Sequence, residues 1–180
     1  MSFARTKANI AELLRLLSPM RGDKVLDVGS GQGKVAAQVR LESGSDVYIV
    51  DPDPGRIALA QAEHPELKTC LSESDRMPFQ DSFFDKAYST MALHHFPDKR
   101  KSLEEVGRVL KSRGLLVVAD ARRGSLRGKA IRLWENGVGR GGVSLFETGE
   151  VAEILSEGGR FEVRGTSEVG SLYFVAAVKT

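Results

Sequence analysis

A single cysteine, Cys70, in 180 residues leaves no partner for an internal disulfide, which excludes a disulfide-stapled secreted scaffold. No apolar run approaches the ~20 residues that a bilayer-crossing helix needs. The first residues, Met1-Ser2-Phe3-Ala4-Arg5-Thr6-Lys7, lead into an amphipathic pattern and not into the apolar block of a signal peptide. A cytosolic location is therefore the expectation, with no membrane partner. A large excess of one charge is also missing: 26 Lys+Arg against 24 Asp+Glu give a net charge of +2. That weighs against a protein that coats nucleic acid, which usually carries a strong basic surplus. Three histidines, two of them adjacent, and one cysteine offer no metal-ligand spacing, so no metal is expected. What is present is 41% hydrophobic and 28% charged residues, the composition of one globular domain over residues 1–180. A chain of this length buries roughly 70% of its unfolded surface and needs no staple.

Ile10, Leu13, Leu14 and Leu17 recur at helical spacing, and Pro19 stops that helix, so residues 1–20 form an N-terminal helical unit. Lys24–Val28 is an apolar run of strand length, broken by Gly29-Ser30-Gly31-Gln32-Gly33, after which Lys34–Leu41 reads as a helix. Asp46–Val50 is a second buried strand that ends at Asp51. Asp53 caps the next helix, with Pro54 at its first position. A weaker third strand follows at Leu67–Leu71 and a fourth at Asp85–Ser89. Asp98 caps a helix whose inner face is Leu103, Val106 and Leu110, and Gly114–Asp120 is a strongly buried fifth strand. Alternating strands and helices predict a doubly wound α/β fold, a mostly parallel sheet with helices on both faces. Thr148 is expected to cap a helix bearing Val151, Ile154 and Leu155. Phe161–Ser167 and Ser171–Val178 are then separated by only Glu168-Val169-Gly170. A parallel crossover needs a dozen or more residues, so these last two strands must form an antiparallel hairpin. Residues 122–142 are the least regular stretch. They read as a partly helical insertion and a loop, a candidate lid over a substrate.

The glycines at 29, 31 and 33 lie between a buried strand and a helix, where a backbone can approach a ligand and offer N–H groups to an anion. A dinucleotide fingerprint spaces its glycines G-x-G-x-x-G, but here its third place is Lys34. Asp27 also stands two residues before the loop. A carboxylate there repels a pyrophosphate and attracts an ammonium. The loop thus asks for a ligand with an anionic and a cationic head, such as an amino-acid moiety. Asp51 can accept both hydroxyls of a ribose, whichever nucleoside cofactor carries it.

The run Val25-Leu26-Asp27-Val28-Gly29-Ser30-Gly31-Gln32-Gly33 resembles the first motif of class I S-adenosylmethionine-dependent methyltransferases. Further segments resemble the middle motifs of the small-molecule branch that includes the quinone-biosynthesis methyltransferases. They are Ser72–Phe79, Ser82–Tyr88 and Ala92-Leu93-His94-His95-Phe96. Glu104–Lys111 resembles the segment leading into the fifth strand. The resemblance implies seven strands in the order 3-2-1-4-5-7-6, with strand 7 antiparallel. It implies that Gly29, Ser30, Gly31 and Gly33 lie under the methionine part of S-adenosylmethionine, with Asp27 near its ammonium. Asp51 would hold the ribose, and Pro52 would pack on the adenine. Glu73 would accept from the adenine amino group, Ser74 would offer its backbone N–H, and Ser89 would line the pocket near the sulfonium. Where the family often shows Pro-Gly-Gly after position 111, this chain has Ser112-Arg113-Gly114.

The implied activity is methyl transfer to a small molecule by in-line displacement. A base is needed only if the acceptor keeps its proton at neutral pH. His94 and His95 are candidates for it, or are structural parts of their motif. Asp120, at the end of the fifth strand, either orients a substrate or caps a loop. Arg122, Arg123 and Arg127 either grip an anionic substrate or form a solvated basic face. Trp134 reads as a core anchor or a pocket wall, and Cys70 as buried and inert. Two other readings remain: a nicotinamide-dependent dehydrogenase, disfavoured by Asp27, Lys34 and the hairpin, and a non-catalytic S-adenosylmethionine-binding module.

Overall fold

The computed structural model describes residues 7–137 and 144–180. Seven strands form one sheet in the order β3-β2-β1-β4-β5-β7-β6, as expected. They are β1 (Lys24–Val28), β2 (Asp46–Asp51), β3 (Lys68–Leu71), β4 (Phe84–Thr90), β5 (Leu110–Ala121), β6 (Phe161–Val169) and β7 (Leu172–Lys179). The helices are α1 (Lys7–Leu17), α2 (Lys34–Ser43), α3 (Pro54–Glu63), α4 (Lys99–Val109), α5 (Leu126–Gly137) and α6 (Thr148–Ser156). The first five strands run parallel. β7 runs against both β5 and β6, and Gly170-Ser171 is all that separates the hairpin strands.

Side chains alternate across the sheet and build two cores. One face carries Val25, Ile49, Tyr88, Val117 and Ala119 against Leu13 and Leu17 of α1 and Val35 and Val39 of α2. The other carries Leu26, Val28, Leu116 and Val118 against Leu103 and Val106 of α4 and Val151 and Leu155 of α6. Burying each such side chain contributes on the order of 2 kcal/mol before entropy is counted.

The caps show how local chemistry fixes element boundaries. The Asp53 carboxylate accepts from the Gly55 and Arg56 amides at 2.8 and 3.1 Å, and the Asp98 carboxylate accepts from the Lys101 amide at 3.0 Å. At α6 the cap is Glu147 and not Thr148. Glu147 and Glu150 close a reciprocal capping box, while the Thr148 hydroxyl donates to Glu168 at 2.9 Å. Leu110 is also reassigned. It does not belong to the inner face of α4 but opens β5, paired with Phe84, and the next pair is Lys86 with Leu115. The bulge between them takes up Arg113 at φ 64°, so β5 begins four residues earlier than the apolar run at Gly114 suggests. Cys70 is half-buried on the edge strand β3, not fully buried. Of the 122–142 segment, residues 126–137 are helical and residues 138–142 lie outside the described residues, as does the side chain of Trp134. Residues 1–6 of the N-terminal unit also lie outside them.

Candidate functional site

The carboxyl ends of β1, β2 and β4 meet at a cleft of about 290 Å³. It is lined by Gly29, by Asp51 and Pro52, by Glu73 and Ser74, and by a wall from the 91–97 segment, through Met91, Ala92, His95, Phe96 and Pro97. Of the residues singled out in the sequence, the cleft gathers Gly29, Asp51, Pro52, Glu73, Ser74 and His95. Asp27, Ser30, Gly31, Gly33, Ser89, His94 and Asp120 do not line it.

The glycine loop explains part of that division. Gly29 has φ 77°, and a Cβ there would sit 2.4 Å from Ala92 Cβ. Only a glycine lets the loop and the 91–97 wall approach this closely. Gly33, at φ 73°, would drive a Cβ to 2.9 Å from Leu67, so its role is to seat α2 against β2 and β3. The loop amides are largely used inside the chain. Gly29 and Ser30 donate to the Val50 carbonyl at 2.8 and 3.1 Å, and Gly31 donates to Asp51 Oδ2 at 2.8 Å. Asp51 Oδ1 accepts from the Asp53 amide at 3.0 Å. Each carboxylate oxygen keeps a further lone pair for a ligand hydroxyl.

Asp27 occupies the opposite kind of environment. It is 1% exposed, and neither carboxylate oxygen has a hydrogen-bond partner among the described residues. It pairs in register with Tyr88 of β4, whose hydroxyl is also buried without a partner of good geometry. Burial pushes the Asp27 carboxyl up to about 8, with the nearby Asp51 charge acting in the same direction and the Tyr88 hydroxyl against it. The Tyr88 phenol is held well above its ordinary value by burial and by Asp27. Next along the strand, the Ser89 hydroxyl is likewise buried without a partner.

A second polar group lies at the end of β5. The His94 Nδ1–H donates to Asp120 Oδ1 and Oδ2 at 2.8 and 2.7 Å, and the His94 backbone N–H donates to Oδ2 at 3.1 Å. Asp120 also accepts from the Ala121 amide at 2.7 Å. The His95 ring lies 4.0 Å from that of His94, but on the cleft side. Arg122 is engaged by Glu168 at 2.7 Å and Arg123 by Glu150 at 2.6 Å, so both serve the hairpin and α6. Arg127 and Lys99 feel the Asp120 charge while burial pushes their own pKa values down. Among the described residues no cluster of His, Cys, Asp and Glu could hold a metal ion.

Residues 26–118, just over half of the chain, match the family described as a methyltransferase domain. The chain belongs to that family. An O-methyltransferase of Aspergillus nomiae is 33% identical over 115 residues, covering 61% of this chain and 51% of the relative. The demethylmenaquinone methyltransferase of Paenarthrobacter aurescens is 30% identical over 115 residues, covering 64% of this chain and 43% of the relative. The chain thus spans about half the length, or less, of these curated relatives. A SAM-dependent methyltransferase from Aquifex aeolicus superposes with a TM-score of 0.79 at 22% identity, covering 96% of this chain and 90% of that one. A methyltransferase solved with the Trm112 activator from Haloferax volcanii gives 0.82 at 18% identity, covering 94% and 88%. At these identities the structural likenesses speak for the fold.

Within this methyltransferase domain, sequence reasoning did not single out Tyr88, which faces Asp27 only because of the β1–β4 register. Arg56, whose guanidinium lies 4.0 Å from Asp51, was equally silent. Its place in the first turn of α3 was the one available signal. No helix among the described residues is long and apolar enough to cross a membrane.

Proposed function

We propose that this methyltransferase domain holds S-adenosylmethionine in the cleft and transfers its methyl group to a small-molecule acceptor by in-line displacement. The observation that carries the reading is Asp27, a buried carboxylate with two unpartnered oxygens at the end of β1. An uncompensated acid in such a place is costly, and a ligand ammonium would remove the cost. Asp51 and Glu73 supply the other two carboxylates that the group asks for, both on the cleft. The residues therefore fit it.

When bound, the cofactor supplies an electrophilic methyl group on a sulfonium sulfur. The chain's own residues have to orient and exclude water. Asp27 would hold the ammonium, and the Gly29–Gly33 loop would lie under the amino-acid part. Asp51 would accept from the ribose, Pro52 and Phe96 would pack on the base, and Glu73 and Ser74 would read its edge. Ser89, whose buried hydroxyl has no partner among the described residues, would stand near the sulfonium end. His95, whose ring is on the cleft, is the candidate proton acceptor for a protonated nucleophile. The acceptor is a small molecule, a reading supported by the demethylmenaquinone in the name of the Paenarthrobacter relative, and the near-neutral charge speaks against nucleic acid. Helix α5, the described part of the candidate lid, would cover the acceptor. Cytosolic location remains the reading of the sequence.

Calorimetric titration with S-adenosylhomocysteine tests the cofactor, and incubation with labelled S-adenosylmethionine and a panel of phenols, amines and quinols tests the transfer. Stabilisation by NADH and not by S-adenosylhomocysteine would restore the dehydrogenase reading. Binding without transfer to any acceptor would leave a binding module.

A further inference from the structure

The wall formed by residues 91–97 is not a relaxed piece of chain. It leaves β4 through Met91 at φ 54°, a left-handed conformation that a residue with a side chain adopts at a cost. It then sets Ala92 against Gly29 so closely that no other residue at 29 would fit. Within the segment, His95 and Phe96 donate to the Ala92 and Leu93 carbonyls, closing a single 3₁₀ turn. Its fastening is to the end of β5. Met91 N–H donates to the Ala119 carbonyl at 2.8 Å, and both the backbone and the ring of His94 donate to Asp120.

We propose that His94 and Asp120 form a latch that fixes the 91–97 wall of the cofactor cleft, and that they are positioning residues and not the proton acceptor of the reaction. The proposal rests on the reading of that cleft as the cofactor site. The His94 and Asp120 side chains are 4% and 2% exposed, and neither lines the cleft, whereas the neighbouring His95 does. Asp120 alternates with Val117, Ala119 and Ala121, so its side chain leaves the sheet on the α4–α6 face. Asp27 alternates with Leu26 and Val28 and leaves on the face covered by α1 and α2. The pair therefore sits across the sheet from the carboxylate assigned to the methionine end. Asp120 itself is firmly held, since β5 lies between β4 and β7 and Asp120 pairs with Tyr173. A carboxylate that receives two donors from one residue fixes both the backbone and the side chain of that residue.

The test combines titration of S-adenosylhomocysteine with amide exchange in the ligand-free protein. His94→Ala and Asp120→Ala should each weaken binding about tenfold or more. The double variant should be no weaker than the poorer single, because both remove one interaction. His94→Asn keeps an N–H donor for Asp120 but has no imidazole, and should recover most of the affinity. Amides of residues 91–97 should exchange faster in Asp120→Ala, and near the wild-type rate in His94→Asn. Wild-type affinity in either alanine variant, or unchanged exchange at 91–97, would overturn the latch. So would a His94→Asn protein as weak as His94→Ala. A wild-type protein that binds no S-adenosylhomocysteine would overturn the cofactor reading, and the exchange rates would then decide the latch by themselves.

Discussion

Replacing Asp27 by asparagine should make the ligand-free protein more stable in mild base while weakening its ligand affinity. The carboxyl ionises near 3.8 when unperturbed and near 8 in the folded chain. Between those values the folded state holds a proton that the unfolded state has lost. Unfolding free energy therefore falls as pH rises through the window, by up to about 1.4 kcal/mol per unit, and levels off above the folded value. The stability present below pH 4 is lost by pH 8, a difference on the order of 5 kcal/mol from this group alone. The asparagine side chain cannot ionise. It leaves a buried amide whose unmet hydrogen bonds cost about 1–3 kcal/mol at every pH. The Asp27→Asn variant should therefore be similar to or weaker than wild type at pH 5, and more stable by a few kcal/mol at pH 8.5. Urea unfolding at both pH values, with equal m-values required, measures it. If the difference between the two proteins does not change with pH, or the variant is the weaker at pH 8.5, the account of Asp27 as a strained acid is wrong. S-adenosylhomocysteine should also bind the Asp27→Asn variant at least tenfold more weakly at pH 8.5, because the ammonium loses its counter-charge.

Three further outcomes are expected. Asp51→Ala should weaken S-adenosylhomocysteine strongly, by about a hundredfold, since it removes the ribose acceptor and the bond that closes the loop on Gly31; unchanged affinity in calorimetry counts against the ribose role. Gly29→Ala should lower stability by about 2 kcal/mol or more, from the contact with Ala92 and the left-handed backbone. A melting temperature within a degree of wild type would contradict that packing. Arg108 bonds the Met77 and Phe79 carbonyls at 3.0 and 2.8 Å while paired to Glu105. Arg108→Ala should therefore cost about 1–3 kcal/mol and speed amide exchange at residues 77–81; a silent exchange map would remove Arg108 from the support of that segment.

Much of the frame was legible because its signals are local. The strand–helix alternation, the Asp53 and Asp98 caps and the short link before the last strand each need only neighbouring residues. The family motifs supplied the strand order, which no local signal contains. The misread boundaries are those where a tertiary partner wins. Leu110 looks like the inward end of an amphipathic helix until Phe84 recruits it into β5. Thr148 is a good cap by composition, but Glu147 and Glu150 satisfy each other first. At the proposed site, Asp27 drew attention by its place before the glycines. Its pairing with Tyr88 depended on register, and the split between His94 and His95, one inside and one on the cleft, depended on a single 3₁₀ turn.

The placement of β7 has a consequence for how this protein comes into being. It is an inner strand, wedged between β5 and β6, yet it is supplied by residues 172–179. Until those residues leave the ribosome, β5 has one bare edge, and Asp120 stands opposite nothing. Ligand competence should then arrive abruptly, once residues 172–179 have emerged, and a ribosome stalled short of residue 172 would display a domain whose early strands are paired but whose cleft has nothing firm to lean on.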